Sequence, residues 1–176
     1  MTDFIYFAYG SNMMTARLRA RCPSVQPLGQ AKLDGFEMAF NKRSVDGSGK
    51  AGLTPEGCGL AFGAAFQVSK EDLDRLDAIE GPGYRRVCEV RIQIGGAFQS
   101  SGSVTVVNAV TYLPRQTEPG LAPFDWYLAL ILAGYREHDV ASAQILRLQA
   151  TQTRIDPVPH RATALEARSI LSKAGF

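Results

Sequence analysis

The middle of the chain is a succession of segments with the composition of β-strands, two of them with a clear apolar–polar alternation, and this succession limits the fold more than any other feature. Four such segments follow one another, over residues 35–40, 60–68, 84–94 and 103–113. In the third, one face is formed by Cys88, Val90, Ile92 and Ile94. Strands that are neighbours in sequence usually lie side by side in a sheet, most often antiparallel. We therefore predict a mainly antiparallel sheet.

Helical patterns flank these strands and set the fold class. The aromatic and β-branched run Phe4–Tyr9 predicts a first buried strand. Asn12 is suited to cap a helix over 13–21, and Ser69 to cap a helix that ends at Glu80. Further helices are predicted over residues 123–133, 140–148 and 162–171, the first two separated by Gly134 and a polar patch. The sum is a single α+β domain over 1–176, with a small, barrel-like sheet flanked by helices.

Residues 41–59, "NKRSVDGSGKAGLTPEGCG", are rich in glycine and serine and show no periodic pattern. This composition predicts a long loop. Because long loops inside compact domains often serve function, we expect this one to shape a binding site.

The composition excludes several classes of function. A net charge of +2 is too small to indicate a nucleic-acid partner. No apolar run approaches the roughly 20 residues that span a bilayer, and the N-terminus lacks a signal-peptide pattern. We therefore expect a cytoplasmic protein with no membrane partner. The three cysteines, Cys22, Cys58 and Cys88, lack paired spacing and are predicted to be reduced, buried thiols.

One carboxylate occupies an unusual position. In "SKEDLDRLDAIEGPG", the apolar stripe of the helix is formed by Leu73, Leu76 and Ile79. Glu80 follows Leu76 by four residues and falls on that stripe, directly before Gly81-Pro82-Gly83, which must end the helix. Burial, the negative end of the helix dipole and the nearby Asp77 all raise a carboxyl pKa. A carboxyl group tuned in this way is suited to proton transfer.

The same pattern allows a structural explanation for Glu80. It could pair with Arg85 or Arg86, or cap a backbone group at the helix end, and the pattern by itself does not decide between these readings.

The stretch "YFAYGSNM", Tyr6 to Met13, stops an aromatic strand abruptly at a glycine turn before a predicted helix. The free N–H groups at such a helix start form a cradle for an anion or oxyanion, and glycine lets a ligand approach the backbone closely. The alternative is a plain strand-to-helix turn.

Together the two segments resemble the gamma-glutamylcyclotransferase (AIG2-like) family. "FIYFAYGSNM" is similar to its N-terminal strand and substrate loop, and "LDAIEGPGYRRVCEV" to its signature with a glutamate before glycine. "TYL" and "FDWYLALILAG" fit its later strand and helix. The likeness covers about residues 4–150 and does not include the tail from 154 to 176. It implies a small mixed barrel flanked by helices, with a cavity at its mouth.

The resemblance implies an enzyme that cyclises a gamma-glutamyl group to 5-oxoproline and releases a free amine, as in glutathione metabolism. It implies a small-molecule gamma-glutamyl substrate and no metal or cofactor, and it leaves both a monomer and a homodimer open. Asn12 in "YGSNM" places the chain nearer the type that acts on gamma-glutamyl amino acids than the glutathione-specific or amine-specific types.

The resemblance also assigns the site. Glu80 is the implied catalytic acid and base. The implied substrate-binding residues are Tyr6, Phe7, Ala8, Tyr9, Gly10, Ser11 and Tyr127. Further residues expected to line the site are Asn12, Tyr84 and Tyr112.

Rival functions are weaker on the sequence. A cysteine hydrolase would need a histidine partner, but His138 and His160 are near no cysteine signature and are expected at the surface. No Cys/His pair has the spacing of zinc ligands. The serious alternative is a binding or sensor module that keeps the cavity without catalysis, although a pure binder gains little from a buried base.

Overall fold

The computed structural model describes residues 3–95, 104–158 and 160–176. Its strands are β1 Asp3–Ala8, β2 Gln26–Arg43, β3 Gly49–Ser69, β4 Tyr84–Ile94 and β5 Thr105–Pro114. Its α-helices are α1 Thr15–Arg21, α2 Lys70–Glu80, α3 Asp125–Glu137, α4 Ser142–Gln149 and α5 Ala162–Lys173. Short 3₁₀ turns occupy Ser11–Met13 and Gly81–Gly83. Ser103, the first residue of the last predicted strand, lies outside the described residues.

The strands form one closed sheet in the order β1-β3-β2-β4-β5. The β1–β3, β2–β3, β2–β4 and β4–β5 pairs are antiparallel. The barrel closes through a parallel contact of β5 with β1, where Tyr6 lies opposite Val110. The prediction of an α+β domain with a mainly antiparallel, barrel-like sheet is confirmed. Closure brings the C-terminal end of β1 close to β5, and this junction places the site.

The predicted loop 41–59 is wrong. The segment belongs to a long hairpin in which β2 and β3 pair from Arg43↔Gly49 onward, and residues 44–48 alone connect them. The strand signal is hidden because the β2–β3 ladder contains three register shifts, each of which interrupts the alternation of faces. The turn is closed by Asp46, whose Oδ1 accepts from the backbone N–H of Ser48 at 2.9 Å.

Two helix boundaries also differ from the prediction. Asn12 is not a helix cap, because it lies buried inside the 3₁₀ turn and α1 begins only at Thr15. The predicted split between the next two helices exists but lies later than Gly134, since α3 runs through the glycine to Glu137 and the break falls within residues 138–141, at the end of the polar patch. A Cβ on Gly134 would lie 2.6 Å from the Cβ of Met13. The glycine therefore permits the close packing of α3 on the turn that follows β1.

Burial corrects the cysteine prediction in part. Cys22 is buried, whereas Cys58 and Cys88 are exposed. The β4–β5 ladder shifts register between Val87 and Val90, and this irregularity removes Cys88 from the apolar face of Val90. All three thiols are free, as expected.

His138, which was predicted to be at the surface, is instead buried. Its ring packs edge-on against Phe66, and its Nε2 lies 2.9 Å from the carbonyl oxygen of Met13. The contact ties the end of α3 to the turn after β1. Within the described ranges, no helix is long and apolar enough to cross a membrane.

Candidate active site

A cavity of about 180 Å³ opens where β1 ends. Five of the six tyrosines in the sequence line it. Its lining residues come from four strands, three α-helices and the first 3₁₀ turn with the residues before it, and are Tyr6, Tyr9, Gly10, Ser11, Asn12, Arg21, Lys50, Ala51, Ile79, Glu80, Tyr84, Tyr112 and Tyr127. The closed sheet and its flanking helices thus bring together residues that lie more than a hundred positions apart.

Glu80 enters this cavity from the last residue of α2. The helix starts at Ser69, whose side chain accepts a hydrogen bond from the N–H of Asp72. It stops at Gly81, which has the positive φ of 58° that glycine tolerates. Burial raises the pKa of Glu80, while Arg21 and a hydrogen bond from Asn12 oppose the rise. A buried carboxyl group with this balance can both accept and return a proton.

The surroundings of Glu80 differ in two respects from the expectation. Arg86 donates to Asp77 at 2.7 Å, so it does not neutralise Glu80. Asp77 also accepts from the hydroxyl of Tyr112 at 2.8 Å, and it is not among the main groups that shift the Glu80 pKa. Ile79 was predicted to belong to the buried stripe, but it is 45% exposed at the mouth of the cavity.

Asn12 connects the turn after β1 to Glu80. Its amide nitrogen donates to Glu80 Oε1 at 3.1 Å and to the hydroxyl of Tyr6 at 3.2 Å. Its amide oxygen accepts from Arg21 at 3.0 Å. Because the guanidinium takes the oxygen, the N–H₂ group must face the carboxylate. The amide therefore holds Glu80 in place without adding a charge.

Gly10 and Ser11 form the opposite edge of the same turn. The N–H groups of Met13 and Met14 are used inside the 3₁₀ turn, and the first N–H groups of such a turn have no partner within it. A Cβ on Gly10 would lie 3.1 Å from the Cβ of Ala51 and 3.3 Å from the hydroxyl of Tyr127. Only glycine leaves the backbone open to a bound molecule here.

The tyrosines are fixed by hydrogen bonds to the surrounding backbone. Tyr9 donates to the carbonyl of Tyr112 at 2.6 Å, and Tyr84 donates to that of Ala51 at 2.8 Å. Tyr127 Oη accepts from the N–H of Ala51 at 3.2 Å. Burial raises the pKa of Tyr9, Tyr84 and Tyr127, so their hydroxyls stay neutral. They form rigid walls with polar tips.

The sequence matches the family model for gamma-glutamyl cyclotransferase, AIG2-like, over residues 6–128. The chain belongs to this family.

Relatives and solved structures agree with the membership. The chain is 34% identical to the gamma-glutamylcyclotransferase of Bos taurus over 98% of its own length and 89% of the relative. It is 29% identical to that of Homo sapiens over 85% of its own length and 79% of the relative. A solved gamma-glutamyl cyclotransferase has the same fold, with a TM-score of 0.82 at 24% identity, covering 98% of this chain and 99% of that one.

The family's substrate loop, as carried over from the resemblance, includes two residues that the structure places elsewhere. Phe7 and Ala8 do not line the cavity, and their side chains are 0% and 1% exposed in the core. Phe7 pairs with Ala65, and Ala8 with Ala64, in the β1–β3 ladder. Alternation along β1 accounts for Phe7, which follows Tyr6 on the other face of the strand, but not for Ala8, which has the same parity as Tyr6. Every other residue assigned from the sequence lines the cavity.

Sequence reasoning missed two cations of this family member's cavity, Arg21 and Lys50. Arg21 is the last residue of α1 and contacts Asn12 nine residues earlier, in the 3₁₀ turn, a pairing that no local sequence signal indicates. Lys50 carried no usable signal because it was assigned to a loop, whereas β3 delivers it to the cavity.

A second, open cleft of about 1000 Å³ adjoins the cavity and shares Ile79 and Glu80 with it. Basic residues on its walls include Lys42, Arg43 and Arg115. Glu80 therefore separates a small, tyrosine-lined chamber from a wider and more accessible space.

Proposed function

We propose that this protein cyclises the γ-glutamyl group of γ-glutamyl amino acids to 5-oxoproline and releases the free amine. The observation that carries the proposal is Glu80, a partly buried carboxyl group on the wall of the cavity that is held by the Asn12 amide and whose pKa is raised by burial. Family membership supports the reaction class, and the names of the bovine and human relatives agree with it.

The α-amine of such a substrate is protonated near neutral pH and cannot attack. Glu80 as carboxylate takes one proton from the ammonium group. The freed nitrogen then forms a bond to the γ-carbonyl carbon, whose oxygen becomes an oxyanion. When the bond to the departing nitrogen breaks, Glu80 returns its proton to that nitrogen. In the tetrahedral intermediate the attacking nitrogen still carries two protons. It loses one of them as the lactam forms, and the released amine takes up one proton and leaves as an ammonium ion.

The cavity favours this step by geometry. An intramolecular attack needs the glutamyl chain held in a folded conformation, and correct positioning can lower a barrier by several kcal/mol. The chamber of about 180 Å³ has rigid tyrosine walls that restrict extended conformations. We assign the N–H groups of Gly10 and Ser11 to the developing oxyanion, since the turn leaves them outside its internal hydrogen bonds.

The open cleft beside Glu80 gives the departing amine a place. A group that extends past Glu80 reaches the cleft bounded by Gly81–Gly83 and the β2–β3 hairpin. Because the cleft is wide, amines of different size can be accommodated. The glutamyl part is therefore the portion that the enzyme selects most strictly.

The test is turnover of paired isomers. The protein is incubated with L-γ-glutamyl-L-alanine and with L-α-glutamyl-L-alanine, and 5-oxoproline is measured. We expect product from the γ-linked isomer and essentially none from the α-linked one. Equal rates would contradict the assigned geometry, and binding of the γ-linked isomer without product would favour a sensor module.

A further inference from the structure

Lys50 is a largely buried lysine that lines the same cavity as Glu80. Its side chain is 15% exposed, and the residue lines the cavity. Burying an ammonium group is unfavourable unless it is paired, and burial lowers the pKa of Lys50 while Asp46 opposes that shift. A charge kept in such a place needs an explanation beyond packing.

The surroundings of Lys50 form a built site. Its Nζ donates to Ser48 Oγ at 3.0 Å and to Asp46 Oδ2 at 3.3 Å. It also lies 4.6 Å from the ring centre of Tyr127 and 4.7 Å from that of Trp126. Rings at these distances stabilise the cation by cation–π attraction. These contacts favour the charged form of the ammonium group and so oppose the effect of burial.

An ammonium group has three N–H bonds, and the two named acceptors use two of them. Lys50 also precedes Ala51, the residue that abuts Gly10 and bonds to Tyr127. The third N–H is not used by these two acceptors, and Lys50 lines the same cavity as Gly10 and Ser11. The lining of the chamber combines the cations Lys50 and Arg21 with the single carboxylate Glu80. This balance suits a substrate with more negative than positive charge.

We propose that Lys50 is a specificity-determining residue that binds a carboxylate of the substrate. This inference rests on the proposed function, because the ligand is taken to be a γ-glutamyl compound. Such a molecule offers two carboxylates, the α-carboxylate of the glutamyl group and the one on the departing amino acid. Both share the chemistry that Lys50 recognises, and the experiment separates them.

The experiment compares three substrates in the wild-type protein and in Lys50→Met. They are L-γ-glutamyl-L-alanine, its analogue with an α-carboxamide, and L-γ-glutamyl-L-alaninamide. We expect Lys50→Met to raise KM for the first compound roughly tenfold to a hundredfold, the loss typical of a hydrogen bond to a charged group. We also expect the variant to lose the wild-type preference for the carboxylate over one of the two amides, and the affected amide identifies the carboxylate.

Lys32→Met is the matched control. Lys32 also stacks on an aromatic ring, 5.5 Å from the centre of Phe62, but it is not among the residues that line the cavity. It should leave KM and both preferences unchanged. Lys50→Arg restores the charge and should recover part of the preference. If Lys50→Met retains both preferences at wild-type size, Lys50 is only a partner of Asp46 and the inference is overturned.

Binding separates this inference from the proposed reaction. Calorimetric titration of the same three compounds into wild type and Lys50→Met needs no turnover, and Glu80→Gln serves as background if the substrate is consumed. Selective weakening of carboxylate binding in Lys50→Met supports the role of Lys50 even if no 5-oxoproline forms. Absence of binding by γ-glutamyl-alanine to the wild type would overturn both.

Discussion

The cavity holds its two main charges in opposite ways. Glu80 is contacted by the neutral amide of Asn12, and burial moves its pKa upward, toward the protonated form. Lys50 is contacted by the carboxylate of Asp46 and by aromatic rings, which work against the effect of burial on its pKa. Burial thus favours the neutral form of both groups, and their partners differ: a neutral amide leaves Glu80 free to exchange a proton, whereas the Asp46 carboxylate favours the charged form of Lys50.

This difference teaches how the site divides its work. A proton carrier needs a partner that orients it without fixing its charge, and an amide meets that need. A recognition group needs a counterion that keeps it charged before the ligand arrives. Variants that remove one feature at a time can show whether Glu80 and Lys50 differ in role as their contacts indicate.

The largest effect is expected at Glu80. Glu80→Gln keeps the size and the hydrogen-bonding ability of the side chain but cannot exchange a proton at neutral pH. We expect normal folding, largely retained binding of γ-glutamyl-alanine, and a loss of at least about 100-fold in kcat. Glu71→Gln, an exposed change in the first turn of α2, is the matched control and should keep full activity. Near-normal turnover by Glu80→Gln would remove Glu80 from the mechanism.

The next effect is expected at Gly10, in the turn that follows β1. Gly10→Val places a branched side chain where a Cβ alone would lie 3.1 Å from Ala51 and 3.3 Å from Tyr127 Oη. The turn must shift, and we expect kcat/KM to fall by about 100-fold through worse binding and worse alignment. Gly57→Val is the control, because a Cβ there meets no heavy atom within 4 Å.

The cysteines provide a second control for this variant. Serine in place of Cys22, Cys58 or Cys88 should leave the chemistry intact, since none lines the cavity. If one of these changes abolished turnover in a folded protein, a thiol would belong to the mechanism and the assignment of Gly10 and Glu80 would need revision.

A smaller effect, but one with a defined sign, is expected at Arg21. This guanidinium is the main charge that lowers the pKa of Glu80, so Arg21→Met should raise that pKa further. The base form of Glu80 then appears only at higher pH, and the acid limb of the kcat/KM profile should move to higher pH. Arg19→Met, on the same helix, should not move it. A shift toward lower pH would contradict the assignment of that limb to Glu80.

Glu80 and Lys50 were not equally predictable from the sequence. Glu80 could be found because its burial follows from the helical period of Leu73 and Leu76, which is a local signal. Lys50 could not, because its position depends on the pairing of β3 with β2, and register shifts disguise both strands. The same dependence on partners explains two further residues. A register shift in the β4–β5 ladder leaves Cys88 exposed, and packing against the distant Phe66 buries His138. Local periodicity thus predicted the fold class and singled out Glu80, whose role as the base was implied by the family resemblance, while the placement of Lys50 in the cavity required the closed barrel.

The smallest effect on activity is expected from Asp156, which holds Trp126, one of the aromatic side chains beside Lys50. Asp156 lies outside the residues matched by the family model. Its Oδ2 accepts from the indole N–H of Trp126 at 3.0 Å and from Arg161 at 2.7 Å. Asp156→Asn should lower stability by about 1.5–3 kcal/mol, typical for hydrogen bonds to a charged group, with at most a few-fold rise in KM as Trp126 loosens.

Arg161, a backbone N–H and Trp126 lower the pKa of Asp156 far below its ordinary value. Its contribution to stability is therefore complete above about pH 4, the unfolded-state pKa, and is lost as pH falls toward the folded-state pKa. Thermal unfolding of both proteins from pH 7 to pH 3 measures this. The difference in Tm should be largest near pH 7 and should narrow in acid. An equal difference across the whole range would mean that the Asp156 side chain contributes by shape alone, and that the charge of Asp156 does not help to hold Trp126.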